Sequence, residues 1–229
     1  MAIFLGLDTS NYPGDQIMKL ARTQANISFT GFYLAPAPSH PNPTWMKKRS
    51  FLSGLGYGFA PIYVGQQQSG PGSHILSTKQ GGIDGKNAAA LMQQAGFPAS
   101  SVVYLDVETG PPAVPAFFDY YTAWVQAVIG AGFTAGLYCS HLLAGQFLVH
   151  DSRAIPWVFQ LQFTGGHVFV PPLPTPDPSK SNFSGAKVLQ FAQNCTLNLG
   201  GAQLTPVDLD TALVPDPSVL PTTEPPSPA

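Results

Sequence analysis

Short apolar runs and amphipathic runs take turns along the first two thirds of the chain, and this alternation limits the fold more than any other feature. The apolar runs, read as strands, are AIFLGLD (2–8), FTGFYL (29–34), FAPIYV (59–64), SVVYLDVE (101–108) and FTAGLYC (133–139). Between them lie helical patterns near 13–25, 44–54, 84–96, 114–130 and 140–149. The fourth of these, VPAFFDYYTAWVQAVIG, repeats its apolar residues at spacings of three and four, which lines them along one helix face. Strand alternating with helix builds parallel βαβ units, since a parallel neighbour is reached only by a crossover long enough to hold a helix.

After about residue 150 the pattern changes. IPWVFQLQF (155–163), KVLQFAQ (187–193) and PVDLDTAL (206–213) still read as strands. Their connections, FTGGHVFVPPLPTPDPSKSNFSG and NCTLNLGGAQLTP, are rich in Pro and Gly and carry no helical period. Eight strands and five helices predict an α/β fold: a single, incomplete TIM-like (β/α) barrel whose last helices are replaced by loops. A doubly wound sheet is the alternative. Residues 215–229 contain six prolines in fifteen residues. They read as a disordered tail or linker after a barrel domain spanning 1–214.

In such a barrel, chemistry sits at the C-terminal ends of the strands. Side chains alternate along a strand, so residues two apart share a face about 6–7 Å from each other. In YLDVE this puts Asp106 and Glu108 on the inner face above Tyr104, with Leu105 and Val107 turned to the helices. The same parity predicts inward Asp8, Tyr33, Tyr63 and Tyr138 on the first, second, third and fifth strands. It predicts Gln160 and Gln162 on the sixth, Gln190 on the seventh, and Asp208 and Asp210 on the eighth.

The chain has two glutamates, and Glu224 lies in the Pro-rich end, so Glu108 is the one glutamate of the folded body. Desolvation and neighbouring Asp106, Asp8 and Asp208 should raise its pKa above that of Asp106 and suit it to general acid work. Paired carboxylates in a cleft with phenols and amides to bind hydroxyls are what glycoside hydrolysis uses. A bland reading has Asp106 and Glu108 cap the following helix, which accounts for one acid but not for two inward ones plus Asp8. Two further readings stay open at this point: the cleft could bind glycans without turnover, or the carboxylates could hold a divalent metal for phosphoryl or enolate chemistry.

Charged residues make up 10% of the chain and the net charge is −2, with Lys47-Lys48-Arg49 the longest basic cluster. That is too little phosphate neutralisation for a nucleic-acid partner. No stretch is long and apolar enough for a membrane span, and MAIFLGLDTS has neither a basic leader region nor a small-residue cleavage site. Cys139 and Cys195 are too few for a disulfide framework and too far apart for a zinc motif. His40, His74, His141, His150 and His167 are scattered singly, with no HxH or HExxH, and read as surface or loop residues. We therefore expect no cofactor and no metal, a carbohydrate partner and a monomer.

These residues carry a resemblance. GLDTSNYPG, YLDVE, GLYCS, VLQFAQN and VDLDTAL resemble elements of the family 25 glycoside hydrolases, the N-acetylmuramidase-type lysozymes. GFAPIYVGQQ followed by DGKNAAALMQQAGFP is more similar to their relatives, bacterial glycoside hydrolase-like domains of unknown function. The resemblance spans about residues 2–214. It implies an incomplete (β/α) barrel, and a cleft cutting peptidoglycan between N-acetylmuramic acid and N-acetylglucosamine; the carbohydrate partner expected is peptidoglycan or a chitin-like glycan. Carried onto this chain it makes Glu108 the general acid and Asp106 its partner, with Asp8 and Asp208 flanking and Tyr138 and Gln190 lining the site. Two departures stand out: Leu189-Gln190-Phe191 replaces a Trp-Gln-Tyr pattern, and the third strand ends in IYVGQQQ where lysozymes place a charged tip.

Overall fold

A computed structural model describes residues 2–219. The elements follow in the order β1 (Phe4–Asp8), α1 (Asp15–Gln24), β2 (Ile27–Tyr33), α2 (Arg49–Gly54), β3 (Gly58–Val64), α3 (Thr78–Gln94), β4 (Val102–Val107) and α4 (Pro115–Gly130). Then come β5 (Thr134–Ser140), α5 (His141–His150), β6 (Ile155–Phe163), β7 (Val168–Phe169), β8 (Val188–Asn198) and β9 (Gln203–Ala212). The strands form one sheet in the order β6-β5-β4-β3-β2-β1-β9-β8-β7, and β6 also pairs with β8. That extra pairing closes eight strands into a barrel and leaves two-residue β7 on the outside of β8. Eight barrel strands and five helices are the incomplete (β/α) barrel expected.

Strands β1 to β6 and β8 run parallel, whereas β9 runs antiparallel to both its neighbours. The reversal comes from a hairpin. NCTLNLGGAQLTP, read as loop, is mostly strand: β8 continues to Asn198, β9 begins at Gln203, and Gly200 and Gly201 turn the chain at positive φ. Two glycines can adopt those angles without a Cβ clash, which is what a tight two-residue turn needs. Because β9 descends from the mouth, Asp208 lies level with Asp8, and Asp210 lies one layer deeper beside Gly6.

Alternation sorts the side chains into two cores. Val103, Leu105, Val107, Leu137, Leu189, Phe191 and Leu209 face outward into the layer shared with the helices. Phe29, Ala60, Ile62, Tyr104, Trp157, Val188 and Ala212 fill the barrel axis. Above this apolar plug the axis turns polar, and the site begins.

The barrel floor is closed by residues beyond the expected boundary. Asp216 accepts hydrogen bonds from Phe59 N at 3.0 Å and Ser218 Oγ at 2.7 Å, Ser218 O accepts from Val102 N at 2.8 Å, and Tyr104 donates to Pro217 O at 3.0 Å. Residues 215–219 thus strap the starts of β3 and β4 and belong to the domain. The tail reading of 220–229 lies outside the described residues.

Candidate active site

The floor of the cleft is fixed first. Tyr104 and Trp157 meet edge to face with centroids 5.4 Å apart, and Tyr138 packs edge-on to Trp157 at 5.0 Å. On this aromatic base stand Asp106 and Glu108 from the end of β4. Asp8 arrives from β1 in the space left by Gly31, where a Cβ would collide with that of Asp8. A cleft of about 300 Å³ is lined by Asp8, Tyr33, Ile62, Asp106, Glu108, Gly110, Tyr138, Trp157, Phe159, Leu161, Gln193 and Asp208. Two adjoining pockets, of about 270 and 160 Å³, share lining residues with it, and Tyr33 and Glu108 line all three. No Lys or Arg lines any of them.

Asp8, Asp106, Glu108 and Asp208 are therefore brought together. Tyr33 donates to Asp8 Oδ1 at 2.7 Å. Tyr138 donates to Gln190 Oε1 at 2.8 Å, and Gln190 Nε2 donates to Asp208 Oδ2 at 3.3 Å. The backbone N of Asn194 holds Asp208 Oδ1 at 2.6 Å. Asp210 is fully buried beneath, with neither carboxylate oxygen hydrogen-bonded. Asp8 Oδ2 and Asp106 Oδ1 are also buried without partners.

Burial governs the protonation of these groups, since a carboxylate away from water favours its neutral form. It pushes Asp106 well above the usual range, helped by the charges of Glu108, Asp8 and Asp208. It raises Asp208 to about 8, together with the charge of Asp8 and against the Asn194 hydrogen bond. It raises Asp8 to about 6 against the hydrogen bond from Tyr33. Asp210 is likewise pushed well up by burial and then by Asp8 and Asp208. Glu108 is raised by burial too, but it stands at the solvent-reached rim. The order expected from sequence, Glu108 above Asp106, is thus reversed: Asp106 is the deeper and more desolvated acid. Burial also holds Tyr33 and Tyr138 well above 10, so both phenols stay protonated donors.

Five expected residues do not line the cleft: Gln190 and Asp210 are buried behind it, and Tyr63, Gln160 and Gln162 lie away from it. Tyr63 points outward, where its hydroxyl donates to Asn87 Oδ1 at 3.0 Å and its ring packs near Trp124. Ile62 and Val64 take the inner positions of β3 instead. Gln160 and Gln162 yield the inner face of β6 to Trp157, Phe159 and Leu161, which line the cleft. Polarity misled here: an aromatic ring fits the barrel axis, and an amide is content in solvent. Parity anchored on Trp157, the largest apolar residue of the strand, would have found Phe159 and Leu161.

His40, read as a surface or loop residue, is a loop residue but not an exposed one. It is buried in its loop, tilted against the Tyr33 ring at 5.1 Å, and lines the smaller side pocket with Ser39 and Gln67. Both cysteines are free and buried. Among the described residues no group of three or more His, Cys, Asp or Glu side chains is arranged to hold a metal ion, and no helix is long and apolar enough to cross a membrane.

A closed eight-stranded barrel, short of helices and opening on clustered carboxylates, defines a glycoside hydrolase-like protein. The chain belongs to the Rv2525c-like, glycoside hydrolase-like domain family, whose model matches residues 21–212. No curated protein matches the sequence. Among solved structures, an uncharacterized B. stearothermophilus protein is 19% identical with a TM-score of 0.64, covering 91% of this chain and 95% of its own. The Tat-secreted protein Rv2525c of Mycobacterium tuberculosis, solved with HEPES, is 15% identical with a TM-score of 0.58, covering 94% and 96%. A bacterial lysozyme from Streptomyces coelicolor is 14% identical with a TM-score of 0.60, covering 92% of each chain. At these identities the likeness is one of fold.

Proposed function

We propose that the protein hydrolyses glycosidic bonds in peptidoglycan or a related N-acetylhexosamine polymer, with Glu108 as the general acid. The observation that carries this reading is the position of Glu108: it shares one face with buried Asp106 and lines all three adjoining pockets. A sugar chain lying along them would present its glycosidic oxygen to Glu108. The Glu108 proton passes to that oxygen, the bond to the anomeric carbon breaks, and its electron pair leaves with the departing sugar. Positive charge gathering on the anomeric carbon faces Asp106, Asp8 and Asp208, whose carboxyl oxygens are directed at it and stabilise it where they are ionised. Water then adds to the anomeric carbon and gives up a proton that restores the acid. Phe159 and Leu161 supply an apolar wall for a sugar face, while Tyr33, Tyr138 and Gln190 order the acids behind it. The solved lysozyme from Streptomyces coelicolor and the catalytic domain of the Listeria phage P40 endolysin, which share the fold, support the choice of glycan.

The test is turnover of bacterial cell wall and of chitooligosaccharides by the wild type and by Glu108→Gln. We expect the variant to bind sugar with unchanged affinity and to lose about 10²–10⁴-fold in turnover, the usual contribution of a general acid. Unchanged turnover in the variant would remove Glu108 from the mechanism. One observation favours a second reading, glycan binding without turnover: burial favours the neutral form of Asp106, which lines the cleft, and a neutral acid binds hydroxyls. A wild type that binds sugar in the cleft and cleaves none of it would select that reading.

A further inference from the structure

The glutamines that replace a charged tip on β3 each grip a different part of the molecule. Gln66 Nε2 donates to buried Asp84 Oδ2 on α3 at 2.9 Å, and its Oε1 accepts from Ile75 N at 2.9 Å. Gln67 Nε2 donates to Asp106 O at 2.8 Å, and its Oε1 accepts from Glu108 N at 3.2 Å. Gln68 Nε2 donates to Pro112 O at 3.1 Å, and its Oε1 accepts from Val114 N at 2.8 Å. The first fastens the β3–α3 loop to a helix. The other two hold the start and end of the segment that carries Glu108.

We propose that Gln67 is a positioning residue for Glu108, its side-chain amide serving as one more rung between β3 and β4. Backbone pairing of these strands stops at Val64 with Asp106, two residues short of the acid. Beyond that point the Asp106 carbonyl and the Glu108 N–H have no strand to bond. Gln67 supplies one acceptor and one donor in a single planar group, a match that neither Asn, too short, nor Met, without hydrogen bonds, reproduces.

The rung is itself rigid. Gln67 is buried, its N–H donates to Ser73 O at 2.8 Å, and its carbonyl meets His74 Nδ1 at 2.9 Å. Ser39 ties the base of the loop, donating to Gly65 O at 2.7 Å and accepting from Ser73 N at 3.1 Å. Asp84 completes the anchor by accepting from Tyr120 at 2.9 Å and Gln80 at 2.7 Å. Gln67 touches no reacting atom in this arrangement. It sets where the strand end points, and an error of about 1 Å there can cost on the order of 10²-fold in rate.

The role rests on the reading of Glu108 as proton donor, but its test needs no substrate. With glutamate labelled at the carboxyl carbon, the protein gives two signals, from Glu108 and Glu224, and Glu108→Gln assigns them. In the wild type the Glu108 signal titrates above the ordinary glutamate range. In Gln67→Met it moves down towards that range, because a loosened strand end lets the acid swing from its partly buried position further into water. Hydrogen exchange on the wild type gives a second readout independent of any variant's folding: the Glu108 amide exchanges more slowly than that of Thr109. On cell wall, Gln67→Met lowers kcat on the order of 10²-fold with KM little changed, and Gln68→Met, farther from the acid, lowers it less. A Glu108 titration unmoved by Gln67→Met, or a Glu108 amide exchanging as freely as Thr109, overturns the proposal. A wild type without turnover would instead overturn the catalytic reading, leaving the titration and exchange to decide the positioning role.

Discussion

Asp8 and Asp208 face each other across β1 and β9, and burial lifts them from 3.8 to about 6 and about 8. Between pH 4 and pH 8 the folded chain therefore keeps protons that the unfolded chain has released, and stability falls as pH rises through that window. One such proton contributes a slope of up to about 1.4 kcal/mol per pH unit. We expect the urea midpoint to fall between pH 4.5 and pH 8, and Asp208→Asn to make the upper half of that fall shallower. Tyr33→Phe removes the donor that lowers Asp8, so Asp8 should ionise at higher pH and the acidic limb of the pH–rate profile should move up. Asp8, Asp106, Glu108 and Asp208 were legible in the sequence because Leu7, Leu105, Val107 and Leu209, plainly apolar, fix the parity of their strands. Tyr63 was not legible, because a tyrosine can bury its ring on either face and its hydroxyl found Asn87 among the helices. The role of Gln67 was hidden for another reason: its partners lie 39 and 41 residues away on a different strand.

At the scale of elements, the sequence showed the strands and the order of the helices more clearly than their ends. Helix α3 begins at Thr78, capped by the Ser77 hydroxyl accepting from Gln80 N at 3.2 Å, six residues before the pattern suggested. Gly81, Gly82 and Gly85 obscured its first turns, since glycine disfavours helix by about 1 kcal/mol relative to alanine. Their purpose is packing against α4. A Cβ on Gly81 would strike the Tyr120 carbonyl, and one on Gly85 would lie 2.6 Å from the Trp124 carbonyl, whereas one on Gly82 meets nothing within 4 Å. The same substitution should thus act in opposite directions. Gly82→Ala is expected to stabilise by up to about 1 kcal/mol. Gly81→Ala and Gly85→Ala are expected to destabilise by about 1–3 kcal/mol through overpacking. Urea midpoints for the three variants check this, and equal signs would contradict the close approach of α3 and α4. The hairpin between β8 and β9 had its own signal in the Gly-Gly pair, masked by the polar and Pro-rich residues around it.

Across the whole molecule, the barrel is closed at its floor by the strap 215–219, and the strap and the cleft meet through one residue. Tyr104 hydrogen-bonds Pro217 O from below, while its ring supports Trp157, on which Tyr138 rests. Two residues above it on the same strand face stands Asp106. Removing the strap leaves Phe59 N, Val102 N and the buried Tyr104 hydroxyl without their partners. A buried polar group left unmade costs about 1–3 kcal/mol, less where water reaches the opened floor. For a chain of this size each kcal/mol lowers Tm by about 2–4 °C. With water reaching the opened floor the net loss is about 3–4 kcal/mol, so a chain ending at Val214 should melt about 6–16 °C below one ending at Val219. Tyr104→Phe in the longer chain removes one of these bonds without removing the ring, and should recover only part of that difference. If the strap also steadies the cleft, sugar binding will weaken in the chain ending at Val214 and stay unchanged in Tyr104→Phe, because the ring that carries Trp157 remains. Equal melting of the two chain lengths would show that the floor is closed by the strands and helices alone.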